Sequence, residues 1–173
     1  MIPLIVDLDH TLINTDLLYE SSVAVLKKSP WLVLLYPFWF FIGKGYLKDQ
    51  LVKRCEINIS KLPYNATTIN YIKKRKKQGD IIILATASHK VYALSIAKYL
   101  KLFNDVMASN KKFNLSSHNK AKKLIERFGE KKFDYIGDHM RDLPVWKASN
   151  LAILVNASDK VIKKTQHLNT LIL

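Results

Sequence analysis

Short apolar runs that lead directly into aspartates or hydroxyls recur along this chain, and few architectures accommodate them. Ile2–Leu8 contains PLIVDL, which reads as a buried strand, and Asp80–Thr86 (DIIILAT) is a second, rich in β-branched residues. Val106–Ser109, Phe133–Gly137 and Leu151–Val155 are three more. Helical spacing lies between them. Lys90–Leu100 places Val91, Leu94, Ala97 and Leu100 on one face; Asn119–Phe128 places Ala121, Leu124, Ile125 and Phe128 together, with Gly129 positioned to end the helix. Strands apolar on both sides, alternating with helices, predict an α/β fold: a Rossmann-like parallel sheet with helices on both faces.

Residues 15–61 break this rhythm. Leu17–Leu26, Trp31–Ile42 and Tyr46–Cys55 all read helical, cut by Pro30, Pro37, Gly43 and Gly45. The pattern predicts a small helical cap inserted after the first strand, with residues 1–14 and 62–173 forming the core domain. A helix over Thr67–Gln78, capped by Asn65, returns the chain to that core. Its basic tail, Lys73 to Lys77, reads as a solvated helix end, where cations are favoured.

With 173 residues and 49% apolar content, the chain can bury a core, and intrinsic disorder is excluded. Cys55 is the one cysteine, so neither an intrachain disulfide nor a cysteine zinc site can form; a reducing, cytoplasmic setting is expected. Lys plus Arg exceed Asp plus Glu by 28 − 14, a net charge of +14. Such a chain calls for an anionic partner, either a phosphorylated molecule or an anionic membrane surface. No helix-turn-helix or RNA-binding sheet pattern accompanies the charge, so nucleic acid is not expected. No secretory signal is read at the N-terminus, where Asp7 ends the first apolar run. As a helix, Trp31–Ile42 would span about 18 Å against roughly 30 Å of hydrocarbon core, too little to cross a bilayer. GKG at 43–45 lacks the P-loop spacing.

Open α/β sheets bind ligands at the carboxyl ends of their strands. Here the first strand ends in Asp7-Leu8-Asp9-His10-Thr11, the second in Thr86-Ala87-Ser88, and another in Gly137-Asp138-His139-Met140-Arg141-Asp142; Lys120 opens the helix after the third strand. Asp7 and Asp9 point the same way along a strand and repel unless a cation lies between them. A hard cation with oxygen ligands, Mg²⁺, resolves the conflict, and Asp138 offers a third oxygen. Lys120 stands near a helix N-terminus, where a cation is disfavoured, which makes sense if it faces carboxylates or a phosphate.

DLDHT, the apolar run ending in Thr86, Lys120 before a helix, and GDHMRD, in this order, resemble the four motifs of the haloacid dehalogenase (HAD) superfamily of phosphohydrolases. The insertion after the first motif resembles the cap of its phosphoserine phosphatase-like members. More narrowly, IVDLDHTLINTDLLYESS, LPYN, LATAS and DLPVW resemble the HAD-like domain fused ahead of UbiA-type prenyltransferases. The resemblance implies a Mg²⁺-dependent phosphomonoesterase. Asp7 would be the nucleophile that forms an aspartyl-phosphate, and Asp9 the general acid, then base. The Asp7 carboxylate, the Asp9 backbone carbonyl and Asp138 would hold the metal. Thr86 and Lys120 would bind the phosphoryl oxygens, with Ser88 a rival for the hydroxyl role, and Asp142 would orient Lys120 or assist the metal. His10 departs from the family, which usually has glycine there. That departure supports a second reading, a catalytically weak module serving as membrane-bound partner or regulatory domain of a prenyltransferase.

Of the 18 aromatic residues, six lie between Trp31 and Ile42, and Lys27, Lys28, Lys44 and Lys48 flank them. A cap core could hold them, but an insertion this small has little interior. Tryptophan beside lysine suits a membrane interface. Trp31, Trp39, Phe40 and Phe41 are therefore expected to contact a membrane or the lipid part of a phosphate ester, placing the protein on the cytoplasmic membrane face.

Overall fold

The computed structural model describes residues 2–173. Its strands are β1 (Leu4–Val6), β2 (Ile82–His89), β3 (Asp105–Ser109), β4 (Asp134–Gly137), β5 (Ala152–Leu154) and β6 (Thr170–Ile172). All pair in parallel, in the order β3-β2-β1-β4-β5-β6. The helices are α1 (Leu17–Lys28), α2 (Tyr36–Ile42), α3 (Lys44–Val52), α4 (Ala66–Lys77), α5 (Lys90–Leu100), α6 (Ser117–Phe128), α7 (Leu143–Ala148) and α8 (Asp159–Thr165).

Alternation along the strands builds two cores. Leu4, Val6, Ile82 and Leu84 pack against Ile72 of α4 and Ile96 of α5 on one face. Ile5, Ile83 and Ala85 pack against Leu124 of α6, Trp146 of α7 and Val161 of α8 on the other. This two-sided burial is the reason the strands read as unbroken apolar runs. The expected fold class is the one found, and the five expected strands are present with ends shifted by at most three residues. The sixth, β6, escaped detection because its three residues are all exposed and show no buried face.

Strand order reverses at β1, which lies between β2 and β4. Crevices at the carboxyl edge of a sheet form at such a switch point. Asp7 and Asp138 therefore begin the two loops that flank it. Asn65 caps α4 as expected, its Oδ1 accepting from the Thr67 and Thr68 amides. Gly129 ends α6 at φ 92°, a conformation open to glycine.

Between β1 and α4 the chain is helical. The expected helix over Trp31–Ile42 is broken: Pro30–Leu35 is a 3-10 helix, and α2 begins anew at Tyr36 with Pro37 in its first turn. Proline lacks the amide a continuous helix would need there. Val25, Leu32, Trp39, Leu47, Leu51 and Cys55 form a small core of this insert's own. Trp39 is only 4% exposed, with the Arg54 guanidinium 4.8 Å from its ring. Its assignment as a membrane contact is thus corrected: Trp39 belongs to the insert's own core.

Gly45 sets how closely the insert approaches the sheet. A Cβ there would lie 2.7 Å from the Asn110 carbonyl oxygen and 2.9 Å from that of Lys111, both backbone atoms after β3. Gly45→Ala is expected to cost about 1–3 kcal/mol, as overpacking does, measured by urea unfolding monitored at the tryptophans. A loss under about 0.5 kcal/mol would show that the approach is not tight.

Candidate active site

A cavity of about 330 Å³ opens at the carboxyl edge of the sheet. Its floor carries Asp7, Asp9, Ser88, Lys120, Asp138 and Asp142, and the insert contributes Phe40, Lys44, Leu47 and Lys48. The sequence-predicted carboxylates and lysine thus converge as expected.

Asp7 directly follows β1, and its amide donates to the Ile136 carbonyl at 3.0 Å, tying the ends of β1 and β4 together. The Lys120 ammonium, carried by the first turn of α6, donates to Asp7 Oδ1 at 2.8 Å and to the Tyr135 hydroxyl at 2.7 Å. Tyr135 in turn donates to Asp142 Oδ1 at 2.7 Å. Asp142 Oδ2 accepts from the amides of Asp138, at 3.3 Å, and His139, at 3.2 Å. A relay therefore runs from Asp7 through Lys120 and Tyr135 to Asp142, and it folds the loop after β4 around itself. Burial holds the Tyr135 phenol well above its usual range, and the neighbouring carboxylates add to the shift, so it remains a donor. Burial also pushes the Asp7 carboxyl up to about 7, against the pull of Lys120, while Asp142 and Asp9 reinforce the rise.

Asp9 is held apart from this group. Its Oδ1 accepts from the Leu17 amide at the N-terminus of α1 at 2.9 Å, and its Oδ2 from Ser88 Oγ at 2.6 Å. Burial raises its carboxyl and Asp16 raises it further, while the Ser88 and Leu17 bonds oppose the change. Asp138 accepts from Thr11 Oγ1 at 3.1 Å, and burial, then Asp142, raises it. Thr11 is fully buried and links the two strand-end loops, a role its place in DLDHT did not disclose.

Of the two candidate hydroxyls, Ser88 lines the cavity and Thr86 lies behind it. Thr86 is fully buried, its Oγ1 accepting from the Ser88 amide at 2.9 Å, and it does not line the cavity. Thr86 pairs with Ala108 and His89 with Ser109, so Ala87 and Ser88 bulge out of the β2–β3 ladder into the cavity wall. Bulges commonly re-aim side chains in this way. The apolar run ends at Thr86, and nothing in its pattern marks the bulge that brings Ser88 to the cavity.

Asp7, Asp138 and Asp142 can each present an oxygen within 4.8 Å of the others. Three carboxylates against the one ammonium of Lys120 leave an excess of negative charge, and an all-oxygen donor set suits a hard divalent cation such as Mg²⁺. Asp9 takes no part through its carboxylate, which is engaged elsewhere; its backbone carbonyl is the one atom it could offer. Asp142 stands in the cluster instead, although donors already occupy both of its oxygens. His10, the departure from the expected glycine, sits at φ 57° and is exposed outside the cavity lining. The left-handed turn explains the preference for glycine, and the imidazole does not narrow the site.

The fold of the chain is similar to that of several solved structures. The chain superposes on a HAD family hydrolase of Salmonella enterica serovar Typhi with a TM-score of 0.70 and 12% identity, covering 98% of this chain and 68% of that one. A substrate-bound phosphoserine phosphatase gives a TM-score of 0.66 at 16% identity, covering 95% and 90%. A phospho-aspartyl intermediate analogue of phosphoserine phosphatase gives 0.66 at 15%, covering 99% and 92%. The fold is therefore that of the HAD family hydrolases. Over 164 residues the chain is 35% identical to the uncharacterized protein y4nM of Sinorhizobium fredii; the match spans 94% of this chain and 31% of that protein. No family model matches the chain.

Tyr135→Phe tests the relay. The change leaves Lys120 and Asp142 each short of a buried partner and is expected to cost about 1–3 kcal/mol in denaturant unfolding. Unchanged stability would mean that water or a shifted side chain replaces the phenol.

Proposed function

We propose that the protein is a Mg²⁺-dependent phosphomonoester hydrolase working through an aspartyl-phosphate. The observation that carries this reading is the Lys120–Asp7 pair at 2.8 Å, facing a cavity across which Asp9 is fixed independently by α1 and Ser88. Asp7 has one oxygen engaged by Lys120, leaving Oδ2 to attack phosphorus. As the new P–O bond forms, the ester P–O bond breaks and the leaving oxygen takes a proton from Asp9. Asp9 then removes a proton from water, whose oxygen attacks the same phosphorus and releases inorganic phosphate and free Asp7. Lys120 and the N-terminal turn of α6, with Ser116 and Ser117 on the cavity wall, would bind phosphoryl oxygens. Ser88 or Thr86 supplies the motif hydroxyl, and the cavity lining favours Ser88. Asp7, Asp138 and the Asp9 carbonyl would hold Mg²⁺, with Asp142 behind them. When bound, the cation offsets phosphate charge and the repulsion among the carboxylates.

The insert acts as a cap, and its contribution to the cavity bears on the substrate. Leu18, Phe40 and Leu47 form an apolar wall beside Lys44 and Lys48. A phosphate ester of an apolar, lipid-like alcohol fits such a wall better than a small polar one does. The second reading is a HAD-like module that serves a prenyltransferase as partner or regulatory domain. The matched region's share of the Sinorhizobium protein, 31%, leaves room in that protein for other domains. The exposed position of His10 removes the steric argument for an inactive site.

Asp7→Asn is expected to abolish turnover of a soluble ester such as p-nitrophenyl phosphate while the fold survives, and Asp9→Asn to slow it roughly 10²–10⁴-fold. Wild-type rates from Asp7→Asn would overturn the covalent mechanism. EDTA is expected to abolish activity, Mg²⁺ to restore it, and Ca²⁺, with its looser and larger coordination, to fail. Full activity in EDTA would count against the metal.

A further inference from the structure

Between Trp31 and Ile42, eight of twelve residues are exposed large apolar side chains. Phe41 is 87% exposed, Leu34 79% and Phe38 63%. Soluble proteins rarely leave so much contiguous apolar surface uncovered unless something binds there. The insert's core takes in only Leu32 and Trp39 fully and Tyr36 in part from this segment, which leaves the other apolar side chains outside it. Along the segment itself the charge is of one sign. From Ser21 to Lys48 there is no acidic residue, while Lys27, Lys28 and Lys44 lie exposed at the two ends of the apolar stretch.

We propose that the segment Trp31–Ile42 docks the protein onto an anionic lipid bilayer, with the mouth of the active-site cavity held at the interface. Aromatic and aliphatic side chains would enter the headgroup region while the flanking ammonium groups meet anionic headgroups. A second copy of the chain is a poorer occupant. Stacking two such faces would bring their lysines together with no carboxylate on this stretch to answer them. The apolar face also runs into the cavity: Phe40 is half exposed on the surface and lines the cavity beside Lys44, whose ammonium is 5.9 Å from its ring. A phosphate headgroup in the bilayer could therefore reach Asp7 while its chain follows Phe40 and Leu47. This last consequence rests on the phosphatase reading; the docking does not.

The test uses co-sedimentation with vesicles of phosphatidylcholine alone and of phosphatidylcholine with phosphatidylglycerol, at low and high salt. Phe38→Ser/Phe41→Ser and Lys27→Gln/Lys28→Gln are the variants, and neither pair lines the cavity. Wild type is expected to sediment with the anionic vesicles and to be released by salt. Each variant is expected to bind roughly tenfold or more weakly, with p-nitrophenyl phosphate hydrolysis unchanged and hydrolysis of a prenyl monophosphate in vesicles reduced. Wild type remaining in the supernatant with both vesicle types overturns the proposal. So does a dimer in solution that the Phe38→Ser/Phe41→Ser change dissociates. Turnover of the soluble ester without vesicle binding would leave the phosphatase reading intact and reject docking; binding without turnover would do the reverse.

Discussion

The Lys120 ammonium sits at 2% exposure near the N-terminus of α6, where the helix dipole opposes a positive charge. A charge so placed must be paired and hydrogen-bonded, or its desolvation goes uncompensated. Asp7 provides the countercharge and Tyr135 the second bond, and Asp142 fixes Tyr135. Much of the surrounding structure follows from that requirement. Gly137 lacks a Cβ because one would stand 2.8 Å from Asp142 Oδ2 and 2.9 Å from the Tyr135 ring. Asp142 accepts the amides of Asp138 and His139, so the loop after β4 takes its shape from the same carboxylate that anchors the relay.

This dependence explains which parts were legible in the sequence. The apolar runs revealed the sheet because each strand is buried on both faces, and the residues ending those runs revealed the site because the sheet gathers its carboxyl edges. Tyr135 was not legible. In FDYIGD it reads as one more apolar strand residue, and only the fold shows its hydroxyl beneath Lys120. Ser88 ranked below Thr86 because a bulge leaves no mark in an apolar pattern. Trp39 was grouped with the exposed aromatics for a related reason. Composition reports how many rings a segment has, whereas the proline break at Pro37 decides which of them turn inward.

Two structural units meet at the cavity with different tasks. The sheet edge fixes its groups through long-range bonds: Thr11 to Asp138, Ser88 to Asp9, Lys120 to Asp7. Each joins segments far apart in sequence, so the positions of the floor groups are tied to one another and to the sheet. The insert approaches through Gly45 and through Lys48, whose ammonium donates to the Ala87 carbonyl. Burial lowers the Lys48 ammonium, and Asp9 and Asp16 offset part of that change. One lysine thus connects the insert to the bulge that carries Ser88, so that positions of wall and floor depend on each other.

The distribution of charge then sets a condition on any anionic ligand. Lys44 and Arg141 are exposed at the rim, where they can attract an anion from solution. On the floor, the Asp7, Asp138 and Asp142 oxygens crowd within 4.8 Å and face a single ammonium. A phosphate drawn in by the rim would therefore meet repulsion at the floor, and burial would strengthen it by lowering the local dielectric. Protonating the floor would ease the repulsion, but a protonated Asp7 could not serve as the proposed nucleophile. A divalent cation relieves the same repulsion and leaves the carboxylates ionised. The metal proposed for this site thus answers the arrangement of charge itself, in which cations stand at the rim and carboxylates on the floor.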